Sequence, residues 1–248
     1  MSTSFSILHV NTDWTNRKYK PFLYGDRLPN TLYDISNEEN NNDVIILTEV
    51  SSQKNMKLLC EILNSESGKC YRSIHSKIGY DFIQFLYNDD MFKCKYTHSF
   101  PNGKCLFVLL VDRFSHKRIL FVCLHLPKLG RRGNHLYNMI NGANRYMNLW
   151  GAEQVLFGGD FNRTPEQLQY TMGTYNPLIN KSIDYFFDDD TGDDHAYTVV
   201  KSKRVIDNFY TNVGVDDFYD IFDRSLILNQ YNDDDFFSHY PIVTDVIF

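Results

Sequence analysis

The chain has 248 residues, 43% of them apolar, 15% aromatic and 23% charged. These proportions exclude a mostly disordered or collagen-like polymer and fit one hydrophobic core, so a single domain over residues 1–248 is expected. Net charge is −6, with 14 Asp against four Lys or Arg in residues 183–235 and a mildly basic stretch before them; this excludes coating of nucleic acid by bulk charge, but not a local grip on a few phosphates.

The first β-branched and aromatic run, Phe5 to Asn11, predicts a strand, and Val44 to Thr48 predicts a second. Ser51 then supplies a helix cap, and Met56, Leu59 and Leu63 recur at helical spacing, which predicts a helix from Ser51 to Leu63. Strands are predicted next at Tyr80 to Tyr87, Phe92 to Thr97, Cys105 to Val111 and Arg118 to Leu124. Leu136, Met139, Ile140, Ala143 and Met147 predict a helix from Gly133 to Trp150, and strands follow at Gln154 to Gly158, Val205 to Thr211 and Ile242 to Phe248. Several strands succeed one another without a helix, notably from Tyr80 to Leu124, so antiparallel meanders are expected rather than a doubly wound parallel sheet.

No apolar run approaches the roughly 18 residues needed to cross a bilayer, and the start, Met1 to Ser6, has neither a basic nor a following apolar region. An intracellular protein of cytoplasm or nucleus, without membrane insertion and monomeric, is expected. The five cysteines (Cys60, Cys70, Cys94, Cys105, Cys123) are scattered and never form a CxxC pair, which predicts reduced core thiols. The runs Asp188 to Asp190, Asp193 to Asp194 and Asp233 to Asp235 read as solvated loops, with a second metal site as the alternative.

Polar residues recur where the predicted strands end: Asn11 and Asp13, then Glu49, His125, Asp160 with Asn162, Asp207, and His239 just before the last strand. Hydrolysis of a phosphodiester needs these residue types. It calls for a divalent cation, donors to the non-bridging oxygens, a base for the water and an acid for the leaving oxygen. Mg²⁺ is hard and prefers carboxylates, which makes Asp13 and Glu49 the expected metal ligands. Asn11 and Asn162 offer amide donors for a phosphate, His239 exchanges protons near neutral pH, and Asp207 is the natural partner to fix its tautomer.

With these residues the chain resembles the endonuclease/exonuclease/phosphatase superfamily, along its whole length. The most specific segment is Gly159-Asp160-Phe161-Asn162, the family's GDFN; Asn11 with Asp13, Glu49, His125, Asp207 and His239 fall in its weaker motifs. The extension Arg163-Thr164-Pro165 also resembles the nuclease subunit of cytolethal distending toxins, which points to the deoxyribonuclease I branch. The resemblance implies an α+β fold, a two-layer antiparallel-rich β-sandwich flanked by helices. It implies a Mg²⁺-dependent phosphodiester hydrolase (Mn²⁺ or Ca²⁺ as substitutes), a DNA endonuclease with DNA as the nucleic-acid partner. By the same resemblance Asp160 orients or activates the water and Asp81 supports His125; the charge of Arg163 joins Asn11 and Asn162 at the phosphate. Lys128, Arg131 and Arg132 place positive charge beside this site. One position departs from the pattern: Phe237-Ser238-His239 stands where the family has Ser-Asp-His, so a neutral hydroxyl replaces an aspartate that helps to hold the metal. A small-molecule or phospholipid phosphoesterase, or a catalytically impaired binding homologue, are the alternatives.

Overall fold

The computed structural model describes residues 4–12, 33–35, 42–50, 53–76, 82–100, 104–128, 135–164, 167–168, 181–182, 206–211, 222–228, 239 and 241–247. They form two six-stranded sheets. The first has the order β11-β12-β1-β2-β4-β3, built from β1 (Ser4–Asn11), β2 (Val44–Val50), β3 (Tyr71–His75), β4 (Phe82–Asn88), β11 (Phe222–Ile227) and β12 (Ile242–Ile247). The second has the order β5-β6-β7-β8-β10-β9, built from β5 (Phe92–Ser99), β6 (Cys105–Asp112), β7 (Arg118–His125), β8 (Gln154–Asp160), β9 (Lys181–Ser182) and β10 (Asp207–Thr211). Helices α1 (Gln53–Glu66) and α2 (His135–Trp150) lie on the outside.

Strand alternation explains the layering. On β1, Phe5 and Ile7 enter the core between the sheets with Phe85, Phe121, Leu156 and Phe209, while Leu8 and Val10 enter a second core with Leu59 and Leu63 of α1. A third core packs Leu136, Met139, Ile140 and Ala143 of α2 against Phe107, Leu120, Val122 and Phe157. The central strands are therefore covered on both faces, which is why LFVLLV in β6 and ILFVCL in β7 are almost continuously apolar. The sandwich with flanking helices is the expected one.

The sheets are antiparallel-rich as expected, with β5, β6 and β7 forming a meander, and the stretch from Tyr80 to Leu124 divides between the two sheets, because β4 belongs to the first and β5 opens the second. Both sheets are mixed, with β1 parallel to β2 and β7 parallel to β8. The segments β3, β9 and β11 were not predicted: β3 is an edge strand with mostly exposed residues, so it lacks the apolar signal that betrays an interior strand. Among the cysteines, all five are free thiols, but only Cys105 and Cys123 are buried and Cys70 is exposed. Among the described residues no helix is long and apolar enough to cross a membrane.

Candidate active site

The sheet registers bring the predicted polar residues to one end of the sandwich. Asn11 at the end of β1 lies opposite Thr48, next to Glu49 in β2; Asp160 at the end of β8 lies opposite both His125 of β7 and Asp207 of β10. The backbone laces these ends together through Leu126 N to Asp160 O at 2.8 Å and Phe161 N to Ile206 O at 2.8 Å. Glycine is required at one point. Gly159 has φ +137°, and a Cβ there would lie 2.0 Å from the Leu124 carbonyl oxygen, so the bare backbone lets β7 and β8 close on each other. Glu49 (φ 58°) and Asn162 (φ 50°) both adopt left-handed backbone conformations. Glu49 does so where the β2–β4 register shifts between Leu47 and Val50, an irregularity that re-aims a side chain at a strand end.

Asp160 is the hub. Its Oδ1 accepts from Asn162 N at 2.7 Å, and its Oδ2 accepts from Asn11 Nδ2 at 3.1 Å and Asn162 Nδ2 at 3.2 Å. Asn11 Nδ2 also donates to Glu49 Oε1 at 3.3 Å, and Asn162 Nδ2 to Leu126 O at 2.7 Å. The two asparagines expected at a phosphate thus hold the carboxylates in place here. His239 Nδ1 lies 2.7 Å from Asp207 Oδ2, the predicted pair. His125 Nε2 lies 3.3 Å from Glu49 Oε1 and 3.7 Å from Asp160 Oδ2, while Lys104 Nζ donates to its Nδ1 at 3.3 Å. An ammonium only donates, so His125 Nδ1 accepts and Nε2 carries the ring proton.

Burial decides the charges. Burial, together with Asp207 and Glu49, pushes Asp160 well above the usual carboxylate range, against the pull of His239 and the Asn162 N–H. Burial alone would lower His239, but Asp207, with Asp160 and Glu49 behind it, pushes the imidazole up to about 9. His9 is fully buried, and burial pulls it down to about 4 despite Asp207. Glu49, His125 and Asp160 offer ligand atoms within 4.8 Å of one another, as do Asp160, Asp207 and His239. A set dominated by carboxylate oxygens, gathered where Asp160 resists ionisation, fits a hard divalent cation.

Asp13, Asp81, Arg131, Arg132 and Ser238 lie outside the described residues, as do the three aspartate runs. Lys128 is exposed. Arg163 Nη1 donates to Phe161 O at 3.0 Å and Pro127 O at 3.2 Å, which braces the turn after Asp160 against the segment after His125. Sequence reasoning missed two residues. Lys104 sits at a strand start among polar neighbours, with nothing to distinguish it. His9 interrupts an apolar strand, and a buried imidazole among Ile7, Leu8 and Val10 is a signal that could have been followed.

No protein-family model matches the sequence, and no curated protein matches it. Solved structures do match. An endonuclease/exonuclease/phosphatase family protein from Bacteroides thetaiotaomicron superposes with TM-score 0.68 at 14% identity, covering 100% of this chain and 99% of that one. ANGEL2, a 2′,3′-cyclic phosphatase in complex with adenosine-2′,3′-vanadate, gives TM-score 0.71 at 15% identity over 99% and 96% of the two chains. D. rerio TDP2 complexed with a single-strand DNA product gives TM-score 0.68 at 13% identity over 98% of each. The chain has the endonuclease/exonuclease/phosphatase fold.

Proposed function

We propose that this chain is a divalent-cation-dependent phosphodiester hydrolase of the endonuclease/exonuclease/phosphatase superfamily, and that it cuts DNA internally. The observation that carries the reading is the convergence of Asn11, Glu49, His125, Asp160 and the Asp207–His239 pair at one end of the two sheets. On the same fold, ANGEL2 is a 2′,3′-cyclic phosphatase and TDP2 holds a single-strand DNA product.

Glu49, with Asp13 two residues beyond the end of β1, would hold a Mg²⁺, and Asp160 and His125 border the same place. When bound, such a cation supplies charge to the phosphoryl oxygens and makes bound water more acidic. Asp160 accepts the proton of the attacking water. Its two oxygens are fixed by three N–H groups, which aim the carboxylate at the site. Asp207 fixes the His239 ring through Nδ1 and leaves Nε2 to donate to the phosphate, where an imidazolium stabilises developing negative charge. His125 presents Nε2 to Glu49 and Asp160, where it can donate a hydrogen bond. Lys128, Arg131 and Arg132 supply positive charge for the strand.

The test is incubation with supercoiled plasmid and Mg²⁺, with and without chelator. Chelator-sensitive nicking is the expected result. Turnover of small phosphoesters without nicking would move the substrate to a small phosphoester, and silence on both would leave a binding homologue impaired by Ser238.

A further inference from the structure

We infer that His9 is a positioning residue for the Asp207–His239 pair: a buried imidazole wedged between Thr48 of the first sheet and Asp207 of the second, which holds the Asp207 carboxylate facing His239. The inference rests on the hydrolase reading above. Phe5 and Ile7 point between the sheets and Leu8 and Val10 point away, so His9 and Asn11 also point between the sheets, about 7 Å apart along β1. His9 therefore occupies the layer directly beneath the site.

Its contacts span the sandwich. Nε2 lies 3.3 Å from Thr48 Oγ1, and Nδ1 lies 3.7 Å from Asp207 Oδ1. The second distance is too long for a hydrogen bond but short enough that a ring N–H there stabilises the anionic carboxylate. The Thr48 hydroxyl donating to Nε2 would leave the proton on Nδ1, facing Asp207. On its other side Asp207 meets His239 Nδ1 at 2.7 Å. The carboxylate is thus held between two imidazoles, one sealed in the core and one at the site, with Asp160, Glu49 and His125 as the other ionisable groups nearby.

Packing gives no reason for histidine at this position. His9 is 0% exposed, its Nδ1 has no hydrogen-bond partner, and its neighbours along the chain are Leu8 and Val10. An isosteric apolar residue would avoid burying a poorly matched ring nitrogen. A residue that the core does not want but that touches a functional carboxylate points to the site.

The experiment compares wild type, His9→Leu and His9→Gln in melting temperature, in kcat and KM for Mg²⁺-dependent hydrolysis, and in the proton resonance of the His239 ring N–H bonded to Asp207. Expected for His9→Leu is a cooperative melting transition that shows an intact fold, kcat lowered at least about tenfold, KM within about twofold, and a displaced His239 resonance. His9→Gln, which can still donate an amide N–H to Asp207, should recover part of kcat. A His239 resonance at its wild-type position in His9→Leu, or an unchanged kcat, would overturn the inference. Should wild type hydrolyse nothing while the resonance still moves in His9→Leu, the positioning role stands and the hydrolase reading is what fails.

Discussion

Gly159→Ala is the sharpest structural perturbation of the site that leaves every polar side chain intact. A Cβ at Gly159 would lie 2.0 Å from the Leu124 carbonyl oxygen and 3.1 Å from its nitrogen. That obstacle is backbone inside the parallel β7–β8 ladder, so it cannot swing aside as a side chain would. Relief means separating the strands by roughly 1 Å, the gap between 2.0 Å and an ordinary contact above about 3 Å. An alanine at φ +137° adds strain of about 1–3 kcal/mol, and overpacking adds about the same again, so about 2–6 kcal/mol is expected in all. For a chain of this size that is a fall in melting temperature of roughly 4–24 °C. The same ladder sets His125 opposite Asp160 and Leu124 opposite Gly159, so activity below the melting transition should fall by at least about tenfold. Calorimetry with parallel hydrolysis assays measures both. A Gly159→Ala protein that melts within about 1 °C of wild type and keeps its turnover would show that the close approach of β7 and β8 is wrong.

Three further outcomes are expected. His239, held up to about 9 by Asp207, Asp160 and Glu49, loses its proton as pH rises through that value; kcat/KM should therefore fall on an alkaline limb near pH 9, and a limb centred near 6.5 would contradict the pairing with Asp207. His9 binds its proton only near pH 4 in the folded protein, whereas an unfolded histidine does so near 6.5, so stability is lost as pH falls between these values, by up to about 3 kcal/mol. Equal acid sensitivity of wild type and His9→Leu in melting would count against that. Ser238→Asp should lower the Mg²⁺ concentration for half-maximal activity and enlarge the Mg²⁺-induced rise in melting temperature; superimposable titrations would remove Ser238 from the metal's surroundings.

Sequence patterning reveals the interior strands because they are covered on both faces. Phe5 to Asn11, Cys105 to Val111 and Arg118 to Leu124 are visible as apolar runs, and the structure forms β1, β6 and β7 there. β3 escapes because its exposed Arg72, Ser73 and His75 carry no such run. The parallel pairing of β7 with β8 is likewise invisible, being set by the long connection through α2 rather than by either strand's composition. At the site, Glu49, Asp160, Asp207 and His239 stand out as polar residues at strand ends. Their division of labour does not, since that Asn11 and Asn162 both donate to Asp160 depends on register and on two left-handed backbone positions. Lys104 on His125 is a contact between strands that pairing alone creates.

The proposed function requires the strand ends around Asp160 to hydrolyse phosphodiesters with a divalent cation. The most direct measurement is the conversion of supercoiled plasmid by wild type and by Asp160→Asn, each with Mg²⁺ and with chelator. Asn keeps the size of the side chain and removes its ability to take a proton. Wild type should nick the plasmid and chelator should abolish that nicking, with a loss of about a hundredfold or more in Asp160→Asn at an unchanged fold. Equal nicking by the two proteins, or nicking that chelator leaves intact, would contradict it.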